Sequence, residues 1–173
     1  MRRPNRRVLR YSACLFLLVT VAAWPSAGWS RTVRHTCDVN KVVHERLENW
    51  AARLKESWEK NNPTLIVSTY AGNGVLLPTC ANGPLAGREA ISGYFVNDFL
   101  PLHPEATFDW NSLKVGGDCA QPVGSGLYGF KSNKGPLQAR FTYVLRQTGP
   151  DTWLIAQHHS SLQPKPASAC PSH

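Results

Sequence analysis

Between Asp38 and Lys60 the apolar residues Val43, Leu47, Trp50, Leu54 and Trp58 recur at steps of four, three, four and four, and almost everything after Pro104 reads as strand. That segregation leaves few folds open. An apolar stripe at helical spacing must be buried against another layer, and helices followed by successive strands predict an α+β domain with its helices on one face of a curved sheet. Asp38 is a plausible N-cap, and Asn61-Asn62-Pro63 is a stop from which Pro63 can open a short helix through Tyr70. Gly74–Thr79 and the neighbourhood of Leu85 read as two brief strands. Arg88–Leu102 repeats Ile91, Phe95, Phe99 and Leu102 at helical spacing and predicts a third helix. Four strands are expected after it, near 107–115, 126–131, 137–147 and 152–162, each bounded by Gly, Pro, Asn or Asp.

The ends of the chain set its compartment. Residues 1–30 hold five arginines and no acid, then an apolar run from Ala13 to Trp24, then small residues at Ser26-Ala27-Gly28, the three-part pattern of a cleaved export signal. The expected location is periplasmic or secreted, by the general or the twin-arginine route, with no membrane association after cleavage. Losing that segment takes the formal charge from +8 to +3. The remaining Lys and Arg residues are scattered rather than gathered with aromatics into a stripe, so nucleic acid is not an expected partner. Cys37, Cys80, Cys119 and Cys170 survive maturation, and an even count in an exported chain reads as two disulfides of open connectivity. No CxxC spacing nucleates a zinc site, and no metal is expected. The tail from 164 to 173 is rich in Pro, Ser and Ala.

Ala139–Ser161 reads as one hairpin around Thr148-Gly149-Pro150-Asp151. A symmetric turn pairs Arg140 with His159, Thr142 with Gln157 and Val144 with Ile155 on one face, and Phe141 with His158, Tyr143 with Ala156 and Leu145 with Leu154 on the other. The polar face carries a cation, an imidazole, a hydroxyl and an amide. It is expected to look inward, because Val144 lies on it with Ile155 and Trp153. An inward arginine needs an anionic partner, and its planar fork suits a carboxylate. Glu89, Asp98, Asp109 or Asp118 could supply one internally; otherwise a ligand must. Arg140, His159, Thr142 and Gln157 are therefore the candidate ligand-binding residues. Tyr94 joins them as an aromatic with a polar handle, although its helical spacing also suits the core. Adjacent strand histidines point to opposite faces, so His158 and His159 do not chelate one metal. No dinucleotide, phosphate-loop, zinc-protease or hydrolase motif is present, and neither a catalytic residue nor a cofactor is assigned.

The segments YAGNGVLLPT (70–79), GREAISGYFVNDFLPLHP (87–104), GLYGF (126–130), ARFTYVL (139–145) and WLIAQHHSS (153–161), in that order, resemble the bacterial relatives of the calcium/calmodulin-dependent protein kinase II association domain. That family lies within the SnoaL-like and nuclear transport factor 2-like superfamily. The resemblance spans about residues 43–163 and implies one domain over 37–163. It further implies an antiparallel sheet bent into a cone around the long first helix, a pocket in the mouth of the cone, and assembly through the outer sheet face into dimers or rings. It maps Arg140 and His159 onto the family's strand motifs, and it pairs Cys37 with Cys119, leaving Cys80 for Cys170. The chain departs from its relatives at Gly124, where they commonly carry an acid and where a glycine is expected to loosen the strand.

Three functions follow as expectations. The first is an exported oligomeric protein, not an enzyme, that binds a small carboxylate in the cone, anchored by Arg140. The second is an isomerase, cyclase or dehydratase on the same cone, which would need Asp109 or Asp118 inside it. The third is an assembly module that buries an outer sheet face formed by Phe141, Tyr143, Leu145 and Leu154.

Overall fold

The computed structural model describes residues 36–79 and 81–164; the expected export signal, the two remaining cysteines Cys80 and Cys170, and nearly all of the C-terminal tail lie outside the described residues. Helix α1 (Val39–Glu59) follows its stripe, capped by the Asp38 carboxylate, which accepts from the Lys41 N–H, and it buries Val43, Leu47, Trp50 and Leu54. A single turn, α2 (Thr64–Val67), leads into β1 (Tyr70–Leu77) and the two-residue β2 (Leu85–Ala86). The third helix is not uniform. An α-helical turn, α3 (Gly87–Tyr94), widens into a π segment (Phe95–Phe99) and tightens into a 3-10 turn (Leu100–Leu102), which swings Tyr94, Phe95 and Phe99 toward the sheet. Strands β3 (Glu105–Gly117), β4 (Pro122–Lys131), β5 (Leu137–Gly149) and β6 (Thr152–Leu162) complete a six-stranded sheet of order β2-β1-β6-β5-β4-β3.

Two expectations about the sheet are corrected. It is mixed rather than wholly antiparallel: β1 runs parallel to β6, since helical and strand segments intervene and bring the chain back along the same edge. The hairpin faces are also reversed. Its loop is Pro150-Asp151, flanked by the pair Gly149–Thr152, and two single-residue irregularities interrupt the ladder. Thr148 is extra on β5. Ala156 is extra on β6, because Leu145 pairs with Ile155 while the preceding Val144 pairs with Gln157. One inserted residue turns every later side chain to the opposite face. Trp153 and Ile155 do point inward, but beyond Ala156 the inward residues are His158 and Ser160, opposite Tyr143 and Phe141. Arg140 and His159 are exposed on the outside, with Thr142 and Val144 half-buried between them. Phe141, Tyr143 and Leu145 are core, not outer face.

Gly124 does not loosen its strand. It is buried, and a β-carbon there would come 2.6 Å from Val43 Cγ1, so its bareness is what lets α1 lie directly on β4. An acid at this position, as the family resemblance implies for it, would not fit without moving the helix. The start of α1 is also tied covalently to the sheet, since Cys37 and Cys119 form a disulfide that closes a loop with a sequence separation of 82. Trp153 Nε1 donates to the Cys119 carbonyl at 2.7 Å and anchors the same corner. Replacing both cysteines with alanine is expected to lower unfolding stability by about 4.5 kcal/mol, the chain-entropy value for a loop of that length, as read from urea denaturation.

Candidate functional site

Trp50 sits at the centre of the inner face. Its ring lies edge-on to His158 at 5.4 Å and to Tyr143 at 5.7 Å between centroids, within a shell of Phe108, Tyr128 and Phe130. Through this apolar interior runs one chain of uncharged hydrogen bonds. Trp50 Nε1 donates to Tyr70 Oη at 3.1 Å, and Tyr70 Oη lies 2.8 Å from His158 Nδ1. On the other side of the imidazole, Tyr128 Oη is 3.3 Å from His158 Nε2 and donates to Ser160 Oγ at 2.5 Å, and Ser160 meets the Thr79 hydroxyl.

These donors can all run in one direction if His158 is neutral with its proton on Nε2. Tyr70 then donates to Nδ1, Nε2 donates to Tyr128, and the hydroxyls pass the pattern on to Thr79. A protonated imidazole would donate from both nitrogens and leave the Tyr70 proton, already displaced by the Trp50 N–H, without an acceptor. Burial, aided by the neighbouring His159, pushes the His158 pKa down to about 3. Burial likewise holds the Tyr70, Tyr128 and Tyr143 hydroxyls well above their ordinary range, so the network carries no charge near neutral pH.

At its Thr79 end the network reaches a cavity of about 20 Å³ lined by Thr79, Tyr94, Phe95, Phe99, His158 and Ser160 among others. That is room for about one water molecule. The groups lining this cavity are neutral hydrogen-bonding groups and apolar side chains, with no cation among them.

The five expected ligand residues are divided between two places. Tyr94 lines the inner cavity. Arg140, Thr142 and His159 come together on the opposite side of the sheet, in an open groove of about 470 Å³ that also takes in Lys114, Ser125 and Ser161. Gln157 shares that outer face one rung away, paired with Val144, and does not line the groove. The register explains the convergence: Lys114 pairs with Ser125, Ser125 with Thr142 and Thr142 with His159, a row across four strands, while Arg140 and Ser161 pair on the next rung. Ser125 and Thr142 share a hydrogen bond of 2.9 Å. Lacking a side chain at Gly126, the floor opens toward Phe141.

None of the acids considered as internal partners reaches Arg140, and no ion pair among the described residues includes it. Asp109 and Asp118 are exposed and accept from backbone N–H groups of their own turns, Asp109 from Asn111 and Asp118 from Ala120 and Gln121. Acid–base chemistry inside the cone would therefore have no carboxylate from either. Among the described residues no group of three or more His, Cys, Asp or Glu could hold a metal ion.

The inner network generates two expectations. Because the folded pKa of His158 is depressed, the unfolded chain binds the extra proton between about pH 6.5 and the folded value of about 3. Stability from this group is complete above pH 6.5 and falls with acidity, at a slope approaching about 1.4 kcal/mol per pH unit. Denaturation midpoints measured from pH 7 to pH 4 should show that slope in the native chain and lose it in His158→Gln. The tyrosines should differ. Tyr70→Phe leaves two buried groups without partners and is expected to cost about 1–3 kcal/mol for each, whereas Tyr143→Phe removes a buried hydroxyl that has no partner and should be neutral or stabilising in the same assay.

No protein-family model and no curated protein matches the chain. Among solved structures it is similar to a Xanthomonas campestris protein described as a calcium/calmodulin-dependent protein kinase II association domain, at 34% identity and a TM-score of 0.62, over 71% of this chain and 86% of that one. It is also similar to a nuclear transport factor 2-like protein of unknown function from Shewanella oneidensis (16% identity, TM-score 0.56, 70% of this chain and 98% of that one). A ketosteroid isomerase-like protein from Erwinia carotovora shares 12% identity at a TM-score of 0.58, over 72% of this chain and 96% of that one. At such low identity the last two speak to the fold alone. Helices packed on one side of a bent, unclosed sheet, the five ordered sequence motifs and the Xanthomonas relative together place this chain in the calcium/calmodulin-dependent protein kinase II association-domain family, on the cone-like nuclear transport factor 2-like fold.

Proposed function

We propose that the protein is an exported, self-associating binding protein whose working surface is the outer face of the sheet, where Arg140 anchors a small acidic organic molecule. The observation that carries this reading is the composition of the outer groove. Lys114, Arg140 and His159 converge there with the hydroxyls of Ser125, Thr142 and Ser161, and no carboxylate lines it. A guanidinium with no ion-pair partner, beside hydroxyls that donate or accept, suits a carboxylate. The cone interior is a poorer place for one, since its imidazole is neutral and its free space holds about one water.

Self-association is favoured by what lies between the charges. Val123, Leu127 and Val144 are only half-buried on this face, and Leu77 at its margin, paired with His159, is 42% exposed. Apolar side chains among polar ones on an open sheet face suit a second copy, which would also enclose an otherwise open groove. Export is favoured by the Cys37–Cys119 disulfide, a bond of oxidising compartments, together with the N-terminal pattern.

Light scattering of the purified chain at micromolar concentration should give more than one copy per particle. Thermal unfolding with acetate, succinate and citrate should show a rise with at least one of them, about 2.7 kcal/mol at a hundredfold excess over Kd, that Arg140→Ala abolishes. A monomer with no carboxylate response, or a response that survives Arg140→Ala, would sink the proposal.

A further inference from the structure

A second basic pocket lies on the helical side of the sheet, apart from the outer groove. Arg46, Asn49 and Arg53 recur at steps of three and four along α1, which stacks them on one helix face. They open onto a pocket of about 260 Å³ whose other walls are Ser68 and Thr69 after α2, and Leu145, Trp153, Leu154 and Ile155 from β5 and β6. The donors and acceptors here are unevenly matched. Ser68 and Thr69 donate their hydroxyl protons to the carbonyls of Leu65 and Ile66 at 2.8 and 2.7 Å. Arg53 gives one guanidinium nitrogen to Glu56 at 2.8 Å, and Glu56 is shared with Lys60. Arg46 forms no ion pair among the described residues, and its Nε is shut away from water with no acceptor.

A guanidinium N–H buried without an acceptor is uncommon enough to ask for an occupant. The requirement is for an acceptor with several lone pairs and a negative charge, because the pocket presents two guanidinium groups and an amide and no carboxylate lines it. We propose that this pocket is an oxyanion site, in which Arg46 takes two oxygens of a phosphate or carboxylate group in its fork while Arg53 and Asn49 complete the shell. Trp153 and Leu145 form an apolar wall that suits a short organic remainder, so that free phosphate and a small phosphorylated or carboxylated molecule share the same anchoring chemistry.

The site is distinct from the outer groove, and its test is arranged to keep the two apart. Inorganic phosphate is titrated calorimetrically, against sodium chloride at matched ionic strength, into the Arg140→Ala chain and into the Arg140→Ala, Arg46→Met double variant. Saturable binding in the first, weakened about tenfold or more in the second, is the expected result. Equal affinity in both variants, or no saturable binding in Arg140→Ala, overturns it. If Arg46→Met fails to fold by circular dichroism, Arg53→Met on the Arg140→Ala chain replaces it, with weakening expected and unchanged affinity again overturning the site.

Discussion

The inserted residue Ala156 in β6 decides which chemistry faces which way. Up to Ile155 the strand turns its large apolar residues toward α1; past the insertion the same inward direction receives His158 and Ser160. Without it, Trp153 and Ile155 would share a face with Gln157 and His159, and the sheet could not put its aromatic residues and its charges on opposite sides. The insertion reconciles two apolar sets of opposite parity, Phe141-Tyr143-Leu145 on β5 and Trp153-Ile155 on β6, by letting both face the buried, helical side of the sheet. A β-bulge in this position re-aims side chains while leaving most of the ladder intact.

What it aims inward is unusual for a core. His158 is 3% exposed and lies flat against Tyr143 at 4.0 Å between centroids, so its ring packs like an aromatic while both nitrogens are occupied. A buried imidazole is tolerated only when both nitrogens are satisfied and the proton count is right. The hydroxyls of Tyr70 and Tyr128 meet the first condition, and burial meets the second by keeping the ring neutral. Trp50 joins the two halves of the molecule in the same step, since its ring packs on the sheet while its N–H starts the hydrogen-bond chain. The bare backbone of Gly124 lets α1 approach closely enough for that contact, and the Cys37–Cys119 bond holds the same end of the helix in place.

Much of the fold was legible from spacing alone. The stripe from Val43 to Trp58, the cap at Asp38 and the turn residues bounding the last four strands each report a local rule, and each element formed where its rule put it. The family motifs led correctly to the cone. What was not legible is non-local. The parallel pairing of β1 with β6 depends on how the chain returns after the helices, and the faces of the hairpin depend on an irregularity that alternation assumes away. A signal did exist: flush pairing would have put Trp153 and Ile155 on the face away from Phe141, Tyr143 and Leu145, a conflict that one extra residue removes. Hence Arg140, Thr142 and His159 share a groove, but on the outer side of the sheet and with Thr142 rather than Arg140 paired to His159, while the place of His158 is hidden because its partners Tyr70 and Tyr128 come from distant strands.

The assignment of faces is tested most directly by mass-mapped labelling of the folded chain with diethyl pyrocarbonate at neutral pH, with fragmentation that separates the adjacent histidines. The expected result is label on His159 in dilute protein and none on His158, whose ring is enclosed by Trp50, Tyr70, Tyr128 and Tyr143. Label on His158 in a natively folded sample, with His159 protected at the same dilution, would contradict the face reversal and everything placed on it.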